Sequence, residues 1–272
     1  MIANARMYSV TPEAAALWRT LLCGLGDAAG TPLTVIDHAA PAPLEELWSR
    51  PDQAAVFMCG LPYSRAAPQP VLVAAPVPSP QEFQSRPQYW SDFVVRADSA
   101  FGKISDAFGR RIAFTVAGSQ SGCVAALTHF MSADARLPLF AEIIAPTLTP
   151  LGALTAVVEC AAEIAPIDSY ALRLLRVYRP DLTAQVRVVG KTSPTPIPPL
   201  VASQSSTDAL QTAFLEVHRN AAMRSVMDGL LLQRFSLPHP ADYVMLRDRY
   251  EAAIRYWRSH RLAKIIHPAF IP

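Results

Sequence analysis

The sequence has little charge and no large excess of either sign. Only 17% of its 272 residues are Asp, Glu, Lys or Arg, below the ~25% of an ordinary soluble domain. There are 24 Lys and Arg against 22 Asp and Glu, a net charge of +2 at pH 7. A dedicated nucleic-acid-binding protein usually has a stronger basic excess. Disorder requires few apolar residues, whereas 51% of this chain is hydrophobic. The composition therefore predicts a folded protein that does not bind nucleic acid.

Long apolar runs, a signal-peptide pattern and closely spaced cysteines are also missing. No stretch reaches the ~18–20 uninterrupted apolar residues of a membrane-spanning helix, so no membrane insertion is expected. Residues 1–8 lack the basic region and apolar core of a signal peptide, which predicts either a cytoplasmic protein or a trimmed mature form. The cysteines lie far apart in apolar surroundings, which favours buried free thiols over a metal or redox motif: they are Cys23, Cys59, Cys123 and Cys160.

Glycine is scarce and proline abundant, with 11 against 25, and the prolines help to divide the chain. Four of them fall in the nine residues 191–199, a stiff connection without regular structure. Before this tract, short apolar segments typical of strands alternate with helical patterns, which indicates parallel strands with right-handed crossovers. The predicted strands cover 5–10, 33–36, 54–59, 71–75, 93–96, 111–116, 141–144, 163–167 and 185–189. The predicted helices cover 11–24, 43–48, 104–108, 119 onward, 150–160, 169–178, 207–232 and 240–264.

This order of elements predicts an α/β protein of two lobes with mixed, mainly parallel sheets flanked by helices. Lobe I is expected to be discontinuous, residues 1–93 plus 192–272, with the C-terminal helices packed back on it. Residues 94–191 form lobe II, inserted in lobe I. Two lobes with two crossing segments predict a hinged ligand cleft.

Three strand-to-helix junctions of lobe II carry small polar residues. Ligands of open α/β sheets bind at the carboxyl ends of strands, and the start of a helix favours anions. A simpler interpretation of the serine at the first junction is helix capping alone. The junction residues are Ser119, Gln120, Ser121 and Gly122, then Thr147 and Thr149, then Asp168 and Ser169.

Lobe I offers aromatic and hydroxyl side chains after its own strands. Tyr8 follows the first strand, Tyr63 and Ser64 follow the third, and Tyr89 precedes the crossing strand. These are candidate ligand contacts, although an isolated aromatic residue is also an ordinary core residue.

Catalytic signatures are weak. The segment 118–122 reads Gly-Ser-Gln-Ser-Gly, so its central residue is not the serine that a G-x-S-x-G nucleophile motif requires. There is no Walker A loop and no G-x-G-x-x-G, and the six histidines are scattered without metal-ligand spacing. We therefore expect no cofactor, no metal and no enzyme activity. A cytoplasmic enzyme remains an alternative, with Cys59, Cys123 or Asp168 as its reactive groups.

A basic helix near the end of the chain permits a further alternative. Residues 245–265 carry six Lys and Arg against two acids. Such a helix could contact phosphates or a partner, as in a cytoplasmic ligand sensor, although a solvated outer face is the simpler interpretation.

Together these residues resemble the substrate-binding proteins of phosphate, phosphite and phosphonate ABC transporters, over most of the chain. The markers, in their order, are Met58-Cys59-Gly60 with Pro62, Tyr89 leading into 94–99, Gly109-Arg110-Arg111, Ser119-Gln120-Ser121-Gly122, and Ala165-Pro166-Ile167-Asp168.

The resemblance implies a type II periplasmic-binding-protein fold that closes on a small oxyanion for uptake through a transporter permease. It implies that Ser119 to Gly122 hold the oxyanion through hydroxyl and backbone N–H groups. It also implies that Asp168 selects the protonation state or an amino group of the ligand. Many relatives carry Tyr where this chain has Leu61 and Ser-His where it has Thr149-Pro150, so the identity of the ligand stays open. A periplasmic location is implied by the family alone.

Overall fold

The computed structural model describes residues 1–131, 139–203 and 207–259. The chain divides into two compact units. Unit 1 comprises Met1–Tyr89 and Pro196–Val244, and unit 2 comprises Trp90–Thr195 and the chain from Met245 onward. Two of the three crossings lie a few residues from the positions expected near 94 and 191, and the third lies between Val244 and Met245.

Unit 1 is built on a six-stranded mixed sheet with helices around it. Its parallel strands follow one another early in the chain, and its antiparallel strands come mainly from the later part of the chain. In spatial order the strands are β13 (Leu232–Ser236), β4 (Val71–Pro78), β12 (Leu200–Ala202), β3 (Gln53–Phe57), β1 (Ile2–Asn4) and β2 (Thr34–Val35). The helices of this unit are α1 (Pro12–Ala28), α2 (Leu44–Trp48), α3 (Gly60–Arg65), α8 (Asp208–Glu216) and α9 (Arg224–Gly229).

The start of α1 is the one that its sequence predicts. Thr11 is the N-cap, and its hydroxyl accepts a hydrogen bond of 3.3 Å from the N–H of Ala14. Pro12 occupies the first helical position, where a missing N–H has no cost. The helix runs to Ala28, beyond the end expected near Gly24, because its apolar side continues through a further turn. The residues buried along it are Ala14, Trp18, Leu21, Leu22, Leu25 and Gly26.

The strand predicted over 5–10 is wrong, because β1 ends at Asn4. The side chain of Asn4 accepts a hydrogen bond of 2.8 Å from the N–H of Arg6 and donates one of 2.8 Å to the carbonyl of Ile36. An Asn that bonds its own backbone two residues on favours a turn over a continued strand. The apolar residues that suggested a strand belong to this turn and to the approach to α1.

The long helix predicted over 207–232 is also wrong in its second part. After α8 the chain passes through two short 3₁₀ turns, Val217–Arg219 and Ala221–Met223. The side-chain oxygen of Asn220 accepts a hydrogen bond of 3.0 Å from the N–H of Ala222. This bond interrupts the helix. The chain then continues through α9 into β13, which pairs antiparallel with β4.

Unit 2 contains a five-stranded mixed sheet. Its strands in spatial order are β10 (Val186–Lys191), β6 (Ser91–Arg96), β9 (Ile164–Asp168), β7 (Arg111–Ala113) and β8 (Glu142–Ile144). Because β7 is parallel to both β8 and β9, the carboxyl ends of these three strands lie at one edge of the sheet. The antiparallel β6 begins at the same edge, with Ser91 opposite Asp168.

Helical segments follow the three parallel strands of unit 2. Those of this unit are a 3₁₀ turn at Ile104–Ala107, a π-helical turn at Gln120–Val124 that continues into α4 (Ala125–Phe130), α5 (Pro150–Val158), α6 (Ser169–Tyr178) and α7 (Pro180–Thr183). The predicted bounds of α6 are confirmed. Two short strands, β5 (Gln88–Tyr89) and β11 (Thr195–Pro196), lie at the chain crossings.

The sequence suggested that the last helix, α10 (Pro240–Ser259), belongs to the first unit. In the structure it is divided between the two units. From Met245 onward it is part of unit 2, where Trp257 is buried and its indole N–H donates to the carbonyl of Leu127 at 3.0 Å. Tyr250 is also buried rather than available to an anionic surface. The remaining basic residues predicted for this helix, Arg261 and Lys264, lie outside the described residues.

All four cysteines are free, as expected. Cys59 and Cys123 are buried, Cys23 is partly buried and Cys160 is exposed, so the predicted burial fails for Cys160. Within the described part of the chain, no helix combines the length and apolar character needed to span a bilayer.

Candidate functional site

The three predicted junctions of unit 2 meet at one edge of its sheet, at the carboxyl ends of β7, β8 and β9. Each ends in a residue whose side chain caps the following helix. Ser119 caps the π-helical turn before α4, Thr149 caps α5, and Asp168 caps α6. Three helix starts at one edge concentrate backbone N–H donors and positive dipole ends there, which favours a bound anion.

The first junction is a capped turn wider than an ordinary helical one. The hydroxyl oxygen of Ser119 accepts a hydrogen bond of 3.0 Å from the N–H of Gly122. The N–H of Val124 donates to the carbonyl of Ser119 at 3.0 Å, five residues back, which defines the π turn. Such turns often occur at functional sites. Since the oxygen of Ser119 is the acceptor in the cap, its proton is left to be donated to another group.

Gly122 is required by a close approach inside the turn. A Cβ atom at this position would lie 1.9 Å from the hydroxyl oxygen of Thr115, which is buried against it. The N–H of Thr115 also donates to the carbonyl of Gly122 at 3.2 Å. Thr115, in the segment that follows β7, thus stabilises the turn by a backbone hydrogen bond and by contact of its side chain with Gly122.

Asp168 and Ser121 bring the first and third junctions together. One carboxylate oxygen of Asp168 accepts from the N–H of Ala171 at 3.0 Å, as a helix cap. The other lies 3.4 Å from the hydroxyl of Ser121, which donates to it. Asp168 is only 5% exposed, and its negative charge is stabilised at the positive end of α6.

The second junction is connected to the first through the strand end of β7. The N–H of Thr147 and its hydroxyl both donate to the carbonyl of Phe114, at 3.0 and 3.1 Å, and the N–H of Leu148 donates to the carbonyl of Thr115 at 3.3 Å. The hydroxyl oxygen of Thr149 accepts from the N–H of Gly152 at 2.9 Å. Thr149, like Ser119, therefore keeps its hydroxyl proton for another acceptor.

Two of the predicted site residues, Ser169 and Gln120, are buried. Ser169 is fully buried, and its hydroxyl oxygen accepts from the N–H of Trp90 at 3.1 Å while its own N–H donates to the carbonyl of Trp90 at 2.9 Å. Gln120 is 2% exposed. These two residues shape the site but present little surface.

The predicted residues of unit 1 are placed in its core. Tyr8 is fully buried, with its ring 5.1 Å from that of Phe57. Tyr63 is 1% exposed and packs edge-on against Tyr243, with 5.1 Å between ring centroids. Burial raises the pKa of Tyr63, so its hydroxyl stays protonated at neutral pH.

The other two candidates of unit 1 are also buried. Ser64 is 6% exposed, and its hydroxyl donates to the carbonyl of Leu61 at 2.7 Å. Tyr89 is 1% exposed, in β5. Contact of these four side chains with a ligand stays a prediction.

Sequence reasoning missed a buried charge network beside the third junction. Asp92 of β6 forms an ion pair with Arg173 of α6, and it also accepts from the indole N–H of Trp90 at 2.8 Å. The side chains of Arg173 and Asp92 are 10% and 3% exposed. Lys191 lies above the ring of Trp90, 5.1 Å from its centroid. An Arg among the apolar residues of 169–178 was a signal in the sequence, but its partner lies 81 positions away.

The cysteines considered as nucleophiles do not suit that role. Burial raises the pKa of Cys123 to about 12, so its thiol is neutral at physiological pH. Cys59 is 5% exposed. A nucleophilic cysteine needs an accessible thiolate.

Comparison with known proteins assigns the family. The family model described as the periplasmic substrate-binding protein of phosphonate ABC transporters matches residues 12–243 of this chain. The chain belongs to this family. The resemblance predicted from its motifs is thereby confirmed, and the family is one of substrate-binding transport proteins rather than enzymes.

Solved structures of phosphonate-transporter binding proteins share the fold. A binding-protein component of an ABC phosphonate transporter from Pseudomonas aeruginosa matches with a TM-score of 0.79 and 16% identity, over 96% of this chain and 89% of that one. PhnD1 from Prochlorococcus marinus, solved with methylphosphonate, matches with a TM-score of 0.76 and 14% identity, over 93% and 97%.

A more distant structure has the same fold with another bound molecule. XAC2383 from Xanthomonas citri, bound to ATP, matches with a TM-score of 0.62 and 14% identity, over 96% and 98%. A search of curated protein sequences gives no significant match. The structural neighbours confirm the α/β periplasmic-binding-protein fold with mixed sheets.

Proposed function

We propose that this member of the phosphonate-transporter substrate-binding family captures a small phosphonate-like oxyanion at the carboxyl edge of the unit 2 sheet. The observation that carries the proposal is the convergence of three capped helix starts there, with Ser121 and Asp168 in contact across two of them. A ligand oxygen would receive hydrogen bonds from the hydroxyls of Ser119 and Thr149 and from backbone N–H groups of the Ser119–Gly122 turn.

The chemistry of these donors fits a compact anion with several oxygen atoms. Two hydroxyl oxygens are already used as helix caps, so each hydroxyl is oriented while its proton remains to be donated. Hydrogen bonds to an ionised group are about twice as strong as neutral ones. No Lys or Arg is needed in direct contact, which agrees with a chain whose net charge is only +2.

Asp168 determines which oxyanions suit this site. A carboxylate beside a fully ionised oxyanion is repelled by it. The site therefore favours a ligand that carries a proton on one oxygen or an amino group, either of which donates to the carboxylate. Aminoalkylphosphonates and monoprotonated phosphonates both satisfy this requirement.

A thermal-shift and calorimetric screen tests the proposal. The probes are methylphosphonate, 2-aminoethylphosphonate, phosphate, phosphite and sulfate, with acetate as a carboxylate. A ligand present at 100 times its Kd stabilises the folded protein by about 2.7 kcal/mol. We expect stabilisation by at least one phosphonate and little by sulfate, which has no proton for Asp168 at neutral pH. Unchanged melting with every phosphorus oxyanion contradicts the proposed ligand class.

Matched capping variants separate binding from folding. Ser119→Ala and Thr11→Ala each remove a helix cap, which costs about 1 kcal/mol of stability. Only Ser119→Ala is expected to weaken phosphonate binding, by roughly tenfold, because Ser119 caps a helix start at the proposed edge of the unit 2 sheet, whereas Thr11 caps a helix of unit 1. Equal affinities of the two variants would exclude Ser119 from the site.

A transporter permease in the cytoplasmic membrane is the protein partner that this function requires, and the periplasm is the compartment in which it operates. Both proposals are supported by the family description. Co-expression with the cognate permease and ATPase, followed by uptake of radiolabelled phosphonate, tests them together. Uptake that does not depend on this protein contradicts a role in transport.

A further inference from the structure

Ser91 connects the proposed oxyanion site to two of the three places where the chain passes between the units, those next to Trp90 and Thr195. It is the second residue of unit 2, at the start of β6, and it lies directly opposite Asp168 in the sheet. It is fully buried. None of the sequence motifs marked it, because a single Ser at the start of a strand is an ordinary residue.

The hydroxyl of Ser91 holds the turn that carries the proposed ligand donors. It donates to the backbone carbonyl of Ser121 with an O–O distance of 2.7 Å. The side chain of Ser121 in turn donates to Asp168. The orientation of the Ser121 peptide, and with it the direction of the Ser121 hydroxyl, therefore depends on Ser91.

Ser91 is itself held by the segment that leaves unit 2. Its N–H donates to the hydroxyl oxygen of Thr192 at 3.0 Å, and the N–H of Thr192 donates to the carbonyl of Ser91 at 3.0 Å. Thr192 is 5% exposed. The segment that enters unit 2 is thus bonded to the segment that leaves it through both the N–H and the carbonyl of Ser91.

We infer that Ser91 is a positioning residue for the proposed oxyanion site, acting through the Ser121 carbonyl and fixed in place by Thr192. The inference rests on the proposed function for its effect on binding. Its structural part, a dependence of the Ser119–Gly122 turn on Ser91, is independent of any ligand. A partly buried carbonyl that loses its donor leaves the turn with a weakened hydrogen-bond network, which favours its rearrangement.

The binding test is a double-mutant cycle with methylphosphonate as the probe. Ser91→Ala is expected to weaken binding by roughly three- to tenfold. In the Ser121→Ala background the same change should have a smaller further effect, because the Ser121 hydroxyl is already absent and only the other donors of the turn remain to be displaced. Equal effects of Ser91→Ala in both backgrounds would overturn the inference.

Thr183→Ala is the matched control for this cycle. Thr183 is in the same unit, and its hydroxyl donates to a backbone carbonyl, that of Arg179, at 3.1 Å. It lies near the start of β10, whereas Lys191 and Thr192 are at the other end. We expect its removal to leave methylphosphonate affinity within twofold of the unaltered protein. Weakening equal to that of Ser91→Ala would show that any lost hydroxyl in unit 2 has this effect, which contradicts a positioning role.

Hydrogen exchange of the ligand-free protein provides a test that does not depend on binding. Ser91→Ala should accelerate exchange of the Gly122 and Val124 amides, both of which donate to Ser119. The Gly152 amide, bonded to Thr149, should exchange as before. Unchanged exchange at Gly122 and Val124 refutes the inference even if phosphonates bind. Accelerated exchange in a protein that binds no phosphonate supports the dependence of the turn on Ser91 and contradicts the proposed function.

Thr192→Val provides a second variant in case Ser91→Ala does not fold. It keeps the shape of the side chain and removes the acceptor for the Ser91 N–H. We expect a smaller acceleration at the same two amides, because Ser91 keeps its bond to Ser121. No change at either amide contradicts the part of the inference that assigns Thr192 to holding Ser91.

Discussion

Both units have junctions that lead from a strand into a helix, but the residues at these junctions differ between the units. In unit 1 the side chains after the strands turn into the core, as the ring contacts of Tyr8 with Phe57 and of Tyr63 with Tyr243 show. In unit 2 the corresponding positions hold the capping residues Ser119 and Asp168. The α/β pattern alone therefore does not make a binding site. Unit 1 also has a small polar capping residue, Thr11, but in unit 2 three capped helix starts share one edge of the sheet.

Within the described residues, the units also differ in whether they contain a buried ion pair. The described ion pairs of unit 1 are exposed, such as Arg19 with Asp37, whose side chains are 49% and 92% exposed. In unit 2 the pair of Asp92 with Arg173 is almost fully buried. It joins β6 to α6, so it fixes the helix that Asp168 caps.

The largest expected effect comes from breaking that buried pair. Arg173→Met leaves Asp92 as a buried charge that has lost its ion-pair partner, which typically costs about 3–5 kcal/mol of unfolding free energy. Asp37→Asn in unit 1 removes an exposed partner and should cost less than about 1 kcal/mol. Urea denaturation of both variants measures the difference. Similar midpoints would mean that burial does not distinguish the charges of the two units.

A smaller effect is expected from a methyl group in the oxyanion turn. Gly122→Ala places a Cβ where the Thr115 side chain already lies, 1.9 Å from its hydroxyl oxygen. Overpacking of this kind costs about 1–3 kcal/mol, and the displaced turn should also lose phosphonate affinity. Gly118→Ala is the control, since no heavy atom lies within 4 Å of its added Cβ. Calorimetric melting and titration of both variants decide the matter, and equal behaviour would disprove the tight packing at Gly122.

The smallest effect concerns pH. Partial desolvation lowers the pKa of His129, an exposed residue of α4, below its ordinary value of 6.5. The unfolded chain therefore binds a proton more readily than the folded one, and the unfolding free energy should decrease as pH falls below 6.5 toward the folded pKa. His129→Gln should flatten this part of the stability curve, measured by urea denaturation from pH 7.5 down to about 5.

A neighbouring variant controls for local packing in that measurement. Thr128→Ser changes α4 without altering a titratable group. It should shift the whole curve and leave its slope unchanged. A slope that is the same in His129→Gln as in the unaltered protein assigns the acid sensitivity to other groups.

Local signals in the sequence predicted the elements that depend on local physics. Thr11 with Pro12 located the start of α1, and the predicted bounds of α6 agree with the structure. The family followed from short motifs in order, and Ser119–Gly122 emerged as a turn between strand and helix. The strand predicted over 5–10 failed because the Asn4 side chain ends β1 early.

Features that depend on distant residues were not predictable. β13 was not predicted as a strand, because its stability comes from pairing with β4, more than 150 positions earlier in the chain. The second half of α10 was assigned to the wrong unit because the acceptor for Trp257 is the carbonyl of Leu127. Neither β4 nor Leu127 can be recognised as a partner from the residues that surround β13 or Trp257.

From the sequence we predicted an α/β protein of low charge, with a capped helix start typical of anion binding and with the motifs of its family. Those properties follow from composition, periodicity and capping, all of which act over a few residues. The contacts of Ser121 with Asp168, of Ser91 with Ser121 and of Asp92 with Arg173 became evident only in the folded chain. The physical reason is that these contacts join residues 30 to 81 positions apart, and only the folded sheet brings such residues within hydrogen-bonding distance.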